Sequence, residues 1–204
     1  MEHSAVGAEA TVSVSDFLGR KAVKKVRSPK TYRHGELDRR LRTSRTKNEV
    51  RVMRSARSRT VRTPVVYDID MESCTITMEY IEGRRVKEVL DAEDCDPLPV
   101  LRKIGETLAD MHNRGISHGD FTTSNMILAE DGKLCVIDFS LGTVKAGPEE
   151  MGVDIRLLQR AFSSAHSAIE GGFGKIMEAY AEKKTDAEKV LAKAEEIKNR
   201  ARYT

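Results

Sequence analysis

The sequence predicts an α+β protein with two lobes, a strand-rich first half and a helix-rich second half. Two observations carry this prediction. Short β-prone runs crowd the first 81 residues, whereas apolar residues recur at helical spacing after Gly83. A chain of 204 residues, 39% of them hydrophobic, suits one compact unit or two small lobes that share a cleft. We place the N-terminal lobe at 1–83 and the C-terminal lobe at 84–204.

The first half is predicted to contain four strands and one long helix. The β-prone runs place the strands at 11–14, 22–26, 65–69 and 74–81. Between the second and third strands, a thin apolar stripe among many arginines predicts a helix over 37–56. Residues 70–73 have the composition of a hairpin turn, so the last two strands are expected to pair.

The second half is predicted to be mainly helical. Val100, Ile104, Leu108 and Met111 recur at helical spacing, and Gly115 is a suitable C-terminal stop. Two short strands are expected at 126–128 and 134–137, joined by a turn at 130–132, and three further helices at 153–162, 173–180 and 186–202.

The composition argues against a membrane or secreted protein. No apolar run approaches the roughly 20 residues that a membrane helix needs. Residues 1–10 lack a basic region followed by an apolar stretch, so no signal peptide is expected. The three cysteines, Cys74, Cys95 and Cys135, are widely spaced and fit no zinc-ligand pattern. We therefore expect reduced thiols and a cytoplasmic location.

Positive charge is concentrated in one segment. From Arg20 to Arg62 the chain has 17 Lys and Arg against three acidic residues, a net charge of +14, so the remainder carries −11. Such a block favours nucleic acid or other phosphate-bearing partners, although a solvated helix face explains the charge equally well. Tyr32 is the one aromatic residue of this segment, so stacking on single-stranded bases is not expected there.

Residues 118–125 carry the strongest functional signal. They read His-Gly-Asp-Phe-Thr-Thr-Ser-Asn and follow a predicted helix. This string is similar to the kinase catalytic loop, H-x-D-x-x-x-x-N. Phosphoryl transfer needs a carboxylate that takes or orients the proton of the nucleophile, and an oxygen donor for Mg²⁺. Asp120 fits the first role and Asn125 fits the second.

Asp138 lies at the end of an apolar run and begins the tripeptide Asp-Phe-Ser. This tripeptide resembles the D-F-G element of kinases, whose aspartate holds magnesium against the phosphates. Magnesium prefers such hard oxygen ligands, shared with a nucleotide. An unrelated surface loop would explain an isolated D-x-x-x-x-N. The histidine, the strand pair and the Asp-Phe together favour a magnesium–ATP site.

Two features of the first half could complete such a site. Lys25 ends a strand and Glu49 lies on the next helix, so they could form the Lys–Glu pair that orients phosphates in kinases. Lys24 is a near competitor for the lysine role. The segment 78–83, Met-Glu-Tyr-Ile-Glu-Gly, looks like a kinase hinge whose backbone amides bind adenine, with an edge strand as the alternative.

Several segments resemble one family, the small atypical kinase subunit of the KEOPS complex, which supports threonylcarbamoyladenosine formation on tRNA. The resemblance covers nearly the whole chain. It rests on 25–34 (KVRSPKTYRH), 45–46 (RT), 78–83 (MEYIEG), 118–128 (HGDFTTSNMIL) and 137–142 (IDFSLG). The string H-G-D-x-T-T-S-N is highly specific to that family, whereas the hinge is generic.

The resemblance implies a minimal two-lobed kinase-like fold with a truncated helical C-lobe, with ATP and Mg²⁺ as cofactors. It implies ATPase and Ser/Thr kinase activity. The implied partners are the threonylcarbamoyl-transferring subunit, a small subunit on the N-terminal lobe, and tRNA. The implied site residues are catalytic Asp120, Lys25 and Glu49; ATP-binding Lys25, Met78, Glu79, Ile81, Ala8 and Glu9; metal-binding Asn125 and Asp138; supporting His118 and Asp154; and tRNA-contacting Arg200 and Arg202.

Four departures separate this chain from the general kinase pattern. Ser140 stands in place of the D-F-G glycine and restricts the backbone there. Residues 7–10, Gly-Ala-Glu-Ala, stand where a glycine-rich phosphate loop is expected. Gly119 replaces the usual arginine, so control by activation-loop phosphorylation is not expected. No A-P-E element follows Asp138, so a peptide-docking platform is not expected either.

Two other functional classes stay open at this point. One is an autonomous RIO-like Ser/Thr protein kinase. The other is a non-catalytic scaffold that binds tRNA and retains kinase residues. The five intact residues of the predicted site argue against the scaffold, because a scaffold has no chemical need for all of them.

Overall fold

The structure is a computed structural model that describes residues 9–58, 60–92 and 96–200, together with the backbone of Ser4–Val6. It shows a mixed α/β architecture with a strand-rich N-terminal sheet and a helical second part, which confirms the predicted fold class. The lobe boundary at 83 stays a prediction.

The first half is a five-stranded antiparallel sheet with one long helix. The strands are β1 (Ser4–Val6), β2 (Thr11–Phe17), β3 (Arg20–Val26), β4 (Val66–Asp70) and β5 (Thr75–Glu79), in the order β1-β2-β3-β5-β4. Helix α1 (Gly35–Ala56) lies between β3 and β4 in sequence. It buries Val52, Met53 and Ala56 in the core, which explains the thin apolar stripe in its sequence.

The second half contains five helices and two small sheets. The helices are α2 (Val86–Leu90), α3 (Leu98–Asn113), α4 (Pro148–Ala165), α5 (Gly172–Lys183) and α6 (Ala187–Arg200). Strands β6 (Gly83–Arg85), β8 (Met126–Ala129) and β9 (Leu134–Val136) form one sheet, and β7 (Ile116–Ser117) pairs with β10 (Thr143–Val144). No described helix is long and apolar enough to span a membrane.

One hydrophobic core runs through both halves. It includes Met53 and Ile76 from the first half and Leu101, Leu108 and Leu158 from the second. Because these side chains form one cluster, the sheet of the first half and the helices of the second half are packed against each other.

The predicted helix at 153–162 begins earlier in the structure, at Pro148. Proline is favoured in the first helical turn, and the Glu150 side chain accepts a 2.9 Å hydrogen bond from the Gly147 amide. The apolar periodicity used for the prediction starts only after this capping segment, so it missed the first turn.

Candidate active site

A cleft of about 730 Å³ lies between the five-stranded sheet and the second half of the chain. This volume lies within the range of small-molecule binding pockets. Val12 and Val23 line it from the sheet, and Ile127 and Ile137 line it from the other half. These apolar side chains on two sides of the cleft could pack against the faces of a planar aromatic ring such as a nucleotide base. The lining also includes a group of charged and amide side chains: Lys25, Glu49, Asp120, Asn125 and Asp138.

Lys25 links the two halves of the charged group. Its Nζ lies 2.8 Å from Glu49 Oε1 on α1 and 2.8 Å from Asp138 Oδ1. Side chains alternate along β3, so Lys24 is exposed while Lys25 is 6% exposed and faces the cleft. The structure therefore brings Lys25, not Lys24, to the predicted site.

Glu49 is fully buried and holds a second cation. Its Oε2 accepts a hydrogen bond from Arg27, which is 2% exposed. A buried charge is stable in the protein interior only when it is paired, and Lys25 and Arg27 provide that pairing for Glu49. Sequence reasoning missed Arg27, although its position two residues beyond Lys25, at the end of a strand, predicts the same face of the sheet.

Asp138 is ionised in the folded protein. Burial alone would raise its pKa, but the Lys25 charge and the hydrogen bonds from Lys25 and Ser140 outweigh it and lower the pKa to about 2. Its side chain remains 38% exposed. Asp138 therefore offers a negatively charged oxygen to the cleft at any physiological pH.

Ser140 takes part in the site instead of weakening it. Its Oγ donates a 2.9 Å hydrogen bond to Asp138 Oδ1. Among the described residues of this loop, Asp138 has a positive φ of 62°, whereas Ser140 does not. The residue at 140 thus needs none of the backbone freedom of glycine in this conformation.

Asp120 and Asn125 lie side by side in the loop after β7. Asn125 Nδ2 donates to the Asp120 backbone carbonyl at 2.9 Å and to Asp120 Oδ2 at 2.8 Å. A 3-10 turn, Thr123–Asn125, brings the two residues together. The side-chain nitrogen Nδ2 of Asn125 is used in these bonds, so its side-chain oxygen Oδ1 is the atom left for a cation.

Asp154 on α4 braces the backbone of the same loop. Its carboxylate accepts hydrogen bonds from the His118 amide at 2.6 Å and the Gly119 amide at 2.7 Å. His118 Nε2 donates to the Ile137 carbonyl at 2.9 Å and thereby connects the loop to the residue before Asp138. His118 and Asp154 lie outside the cleft lining.

Gly119 has a structural reason to be glycine. Its φ is +79°, and a Cβ at this position would lie 2.3 Å from the Leu141 carbonyl oxygen. No side chain fits such a contact, so the arginine usual at this position of the kinase catalytic loop has no room.

The predicted hinge lies at the end of β5. Met78, Glu79 and Ile81 all line the cleft, and residues 80–82 lie outside the strands. The Glu79 side chain is engaged elsewhere, because it accepts from the Val65 amide at 3.0 Å and lies 3.5 Å from Arg62. The Glu79 side chain therefore points away from a ligand role, and adenine binding by the backbone of this segment stays a prediction.

The remaining predicted residues lie at the periphery or outside the described part of the chain. Glu9 lines the cleft and forms an ion pair with Arg45 of α1. Arg200, at the end of α6, lies 2.5 Å from Glu149. Ala8 and Arg202 lie outside the described residues.

The donors in the cleft fit a magnesium ion shared with a nucleotide. Within the described residues, no group of three or more His, Cys, Asp or Glu side chains is arranged to hold a metal by itself. Magnesium typically takes one or two protein ligands and completes its shell with phosphates and water. The carboxylate of Asp138 and the amide oxygen of Asn125 provide ligands of that kind.

Comparison with known proteins identifies the class of fold. The model of the RIO domain family matches residues 11–169. A solved structure of the Rio2 kinase from Chaetomium thermophilum, in an ADP/Mg²⁺–phosphoaspartate complex, shares the fold with a TM-score of 0.64 at 16% identity. The alignment covers 98% of this chain and 70% of the Rio2 chain. The cleft described above thus lies in a RIO kinase-type fold.

Curated relatives identify the family within that class. The chain is 39% identical to the KEOPS complex subunit Bud32 of Pyrococcus abyssi, over 97% of this chain and 94% of the relative. It is 38% identical to the EKC/KEOPS complex subunit Tp53rkb of Mus musculus, over 96% and 84%. The chain belongs to this family of RIO-domain KEOPS kinase-like subunits.

The chain also matches one part of longer relatives. It is 40% identical to a "Probable bifunctional tRNA threonylcarbamoyladenosine biosynthesis protein" of Methanobrevibacter smithii, over 98% of this chain and 36% of the relative. The chain thus spans about a third of the length of these bifunctional relatives.

Proposed function

We propose that the chain is a Mg²⁺- and ATP-dependent phosphotransferase that hydrolyses ATP and phosphorylates Ser/Thr hydroxyls. One observation carries the proposal: all five charged and amide residues predicted from separate parts of the sequence line one cleft. The RIO kinase-type fold supports it, because the Rio2 kinase that shares this fold was solved as an ADP/Mg²⁺–phosphoaspartate complex.

Residues of both halves of the chain would hold the nucleotide and its Mg²⁺ ion. The backbone of residues 79–81 would meet the adenine, and Lys25, held by Glu49 at 2.8 Å, would contact the phosphates. Asn125 and Asp138 would hold Mg²⁺, which neutralises the charge that develops on the transferred phosphoryl group. Because Asp138 is already ionised, it needs no proton loss to bind a cation.

Asp120 would act on the nucleophile. Its carboxylate lies in the cleft, and its orientation is fixed by the 2.8 Å hydrogen bond from Asn125. In this position Asp120 would orient a water molecule or a Ser/Thr hydroxyl and accept its proton.

The metal assignment is tested by Asp138→Ala. We expect this variant to fold, since the side chain is partly exposed, and to lose ATP hydrolysis because the charged metal ligand is gone. The measurement is phosphate release at saturating Mg²⁺, with circular dichroism as the folding control. Near-normal turnover by folded Asp138→Ala would reject the assignment.

The names of the relatives support a role within the KEOPS complex. We propose that the chain serves as its kinase subunit and supports threonylcarbamoyladenosine modification of tRNA. The threonylcarbamoyl-transferring subunit and a small subunit on the N-terminal lobe would be its protein partners. ATP turnover with and without the transferring subunit and tRNA tests this role. Turnover that is unaffected by either would favour an autonomous RIO-like kinase instead.

We propose that tRNA binds through basic surfaces, including helix α1. The structure describes four exposed cations on this helix, Arg39, Arg40, Lys47 and Arg54, for which no ion pair or hydrogen bond is found among the described residues. By contrast, Lys25, Arg27 and other cations of the basic segment are paired inside the protein. Arg200 and Arg202, which the sequence resemblance assigns to tRNA, would provide a further basic site at the C-terminal end.

A further inference from the structure

The Asn48 side chain on α1 is hydrogen-bonded to the loop after Asp138. Asn48 Nδ2 donates to the carbonyl oxygen of Ser140 at 3.1 Å and to that of Gly142 at 2.8 Å. These residues lie more than 90 positions away in sequence, so the contact connects the two halves of the protein. Asn48 directly precedes Glu49. The same turn of α1 therefore contacts both the Asp138 loop and, through Glu49, Lys25.

The Asn48 side chain is itself held in one orientation. Its Oδ1 accepts a 2.8 Å hydrogen bond from Arg51 Nη2, one turn further along α1. An amide satisfies this arrangement well, because its nitrogen donates twice while its oxygen accepts. An aspartate at this position would direct oxygen atoms at two carbonyl oxygens and would repel the loop.

The loop has little room to move while α1 stays in place. A Cβ on Gly142 would lie 2.9 Å from Val52 Cγ1 of α1 and 2.7 Å from the Ser117 carbonyl oxygen. The loop is thus packed between α1 and β7. Its position depends on the position of α1, and the two hydrogen bonds from Asn48 fix how it lies against the helix.

The hydrogen bonds continue from Asn48 to the metal-binding carboxylate. Asn48 holds the Ser140 carbonyl, and the Ser140 hydroxyl donates to Asp138 Oδ1 at 2.9 Å. Asp138 has a φ of +62°, in the left-handed region; aspartate enters this region more readily than most residues, but neighbouring contacts still have to impose it. Asn48 and Ser140 are among the groups that can impose it.

We propose that Asn48 is a positioning residue for the magnesium site: it holds the loop of Asp138 against α1, so that Asp138 and the Lys25–Glu49 pair are aligned together. This inference rests on the proposed metal-binding role of Asp138. It also explains how this chain accommodates serine in place of the loop glycine, because the Ser140 hydroxyl becomes part of the same chain of contacts.

The test separates metal-dependent from metal-independent nucleotide binding. ADP binding to the full chain is measured by calorimetry in Mg²⁺ and in EDTA, for wild type, Asn48→Asp and Asn48→Ala. We expect ADP affinity in EDTA to stay within about twofold of wild type. We expect the gain in affinity that Mg²⁺ provides to fall by about tenfold or more, as groups that orient metal ligands typically contribute about 10- to 100-fold.

Two further variants complete the design. Ser44→Ala, at an exposed position of α1, is the matched control and should retain the full gain from Mg²⁺. Arg51→Ala removes the contact that orients Asn48 but leaves its amide. Because Arg51 is exposed, this variant should fold even if the charge of Asn48→Asp prevents folding. The increase in ADP affinity that Mg²⁺ provides should be about two- to threefold smaller in this variant than in wild type.

The outcomes distinguish this inference from the function on which it rests. A wild-type chain that gains no ADP affinity from Mg²⁺ would contradict the proposed metal site and the role of Asn48 with it. A normal wild type together with an undiminished gain in both Asn48 variants would overturn the role of Asn48 alone. Equal weakening in Mg²⁺ and in EDTA would also overturn it, because it would reveal a general structural effect.

Discussion

His112 lies at the centre of a buried hydrogen-bond chain that ends on the loop 118–125. Its Nδ1 is 2.8 Å from the Tyr180 hydroxyl, and its Nε2 is 3.3 Å from Asp154, the carboxylate that braces residues 118 and 119. Burial lowers the pKa of His112, although Asp154 opposes this shift. A neutral His112 then donates to Asp154 and accepts from Tyr180.

This chain of hydrogen bonds predicts the effect of Tyr180→Phe. The substitution leaves Nδ1 of His112 buried without its donor, which typically costs about 1–3 kcal/mol. For a protein of this length, Tm falls by roughly 2–4 °C per kcal/mol. The measurement is thermal unfolding, with Tyr32→Phe as the control because Tyr32 is 75% exposed. Equal Tm values for the two variants would show that these hydrogen bonds contribute nothing.

At the scale of single residues, sequence reasoning found groups whose chemistry is specific and missed those whose role comes from packing. Asp120, Asn125 and Asp138 stand in recognisable motifs. His112 and Asn48 carry no such signal, because their partners are at distant sequence positions that only the fold brings close.

The loop 118–125 and the loop that follows Asp138 are packed against each other. The Gly119 backbone lies so close to the Leu141 carbonyl that a Cβ would be 2.3 Å from it. The two loops therefore cannot change position independently, and the conformation of one depends on the residue types in the other.

This packing predicts that Gly119→Ala destabilises the protein and displaces Asp120. A positive φ alone costs a non-glycine residue about 1–2 kcal/mol, and the contact with Leu141 adds to it. We expect a loss of at least about 2 kcal/mol in the free energy of unfolding, measured by urea denaturation. Gly174→Ala on α5 is the matched control. Its Cβ would meet nothing, and it should be neutral or slightly stabilising.

An unchanged midpoint for Gly119→Ala would mean that the loops separate more easily than the structure indicates.

At this scale the long elements were predicted well, since hydrophobic periodicity and β-propensity mark them directly. Strands β1, β6, β7 and β10 and the short helix α2 were not predicted. These elements have two to five residues, too few to show a period, and tertiary contacts determine them.

At the scale of the whole molecule, the cations of the basic segment form two sets: one is paired with acidic residues, and the other is exposed to solvent. The internal cations of the basic segment hold Glu49, Asp38 and other acids, whereas the exposed α1 cations face solvent. The net charge of the segment follows from its composition alone. Composition could not distinguish the two sets, because that requires the positions of the acids in the fold.

This separation predicts the salt dependence of tRNA binding. Replacing Arg39, Arg40, Lys47 and Arg54 by alanine should weaken tRNA binding by the assembled complex. It should also reduce the slope of log K against log salt by up to about one unit for each phosphate that is no longer neutralised. The control removes the same charge from the second half of the chain, through Lys87, Lys175, Lys184 and Lys189. If both quadruple variants show the same reduction in slope, net charge and not the α1 surface is responsible.

Whether the cleft performs phosphoryl transfer is tested most directly by Asp120→Ala, with ATP binding and phosphate release measured on the same preparation. Hydrolysis should fall by about 10²–10⁴-fold, because an orienting or accepting carboxylate contributes that much to the rate. The ATP dissociation constant should change by less than about tenfold, or 1.4 kcal/mol, since the proposed contacts to the nucleotide come from Lys25, Asp138 and the hinge segment and not from Asp120. Asp120→Asn, which keeps the shape of the side chain, should show the same pattern. Variants that bind ATP and hydrolyse it at the wild-type rate would contradict the catalytic role and favour a scaffold that retains the site without using it.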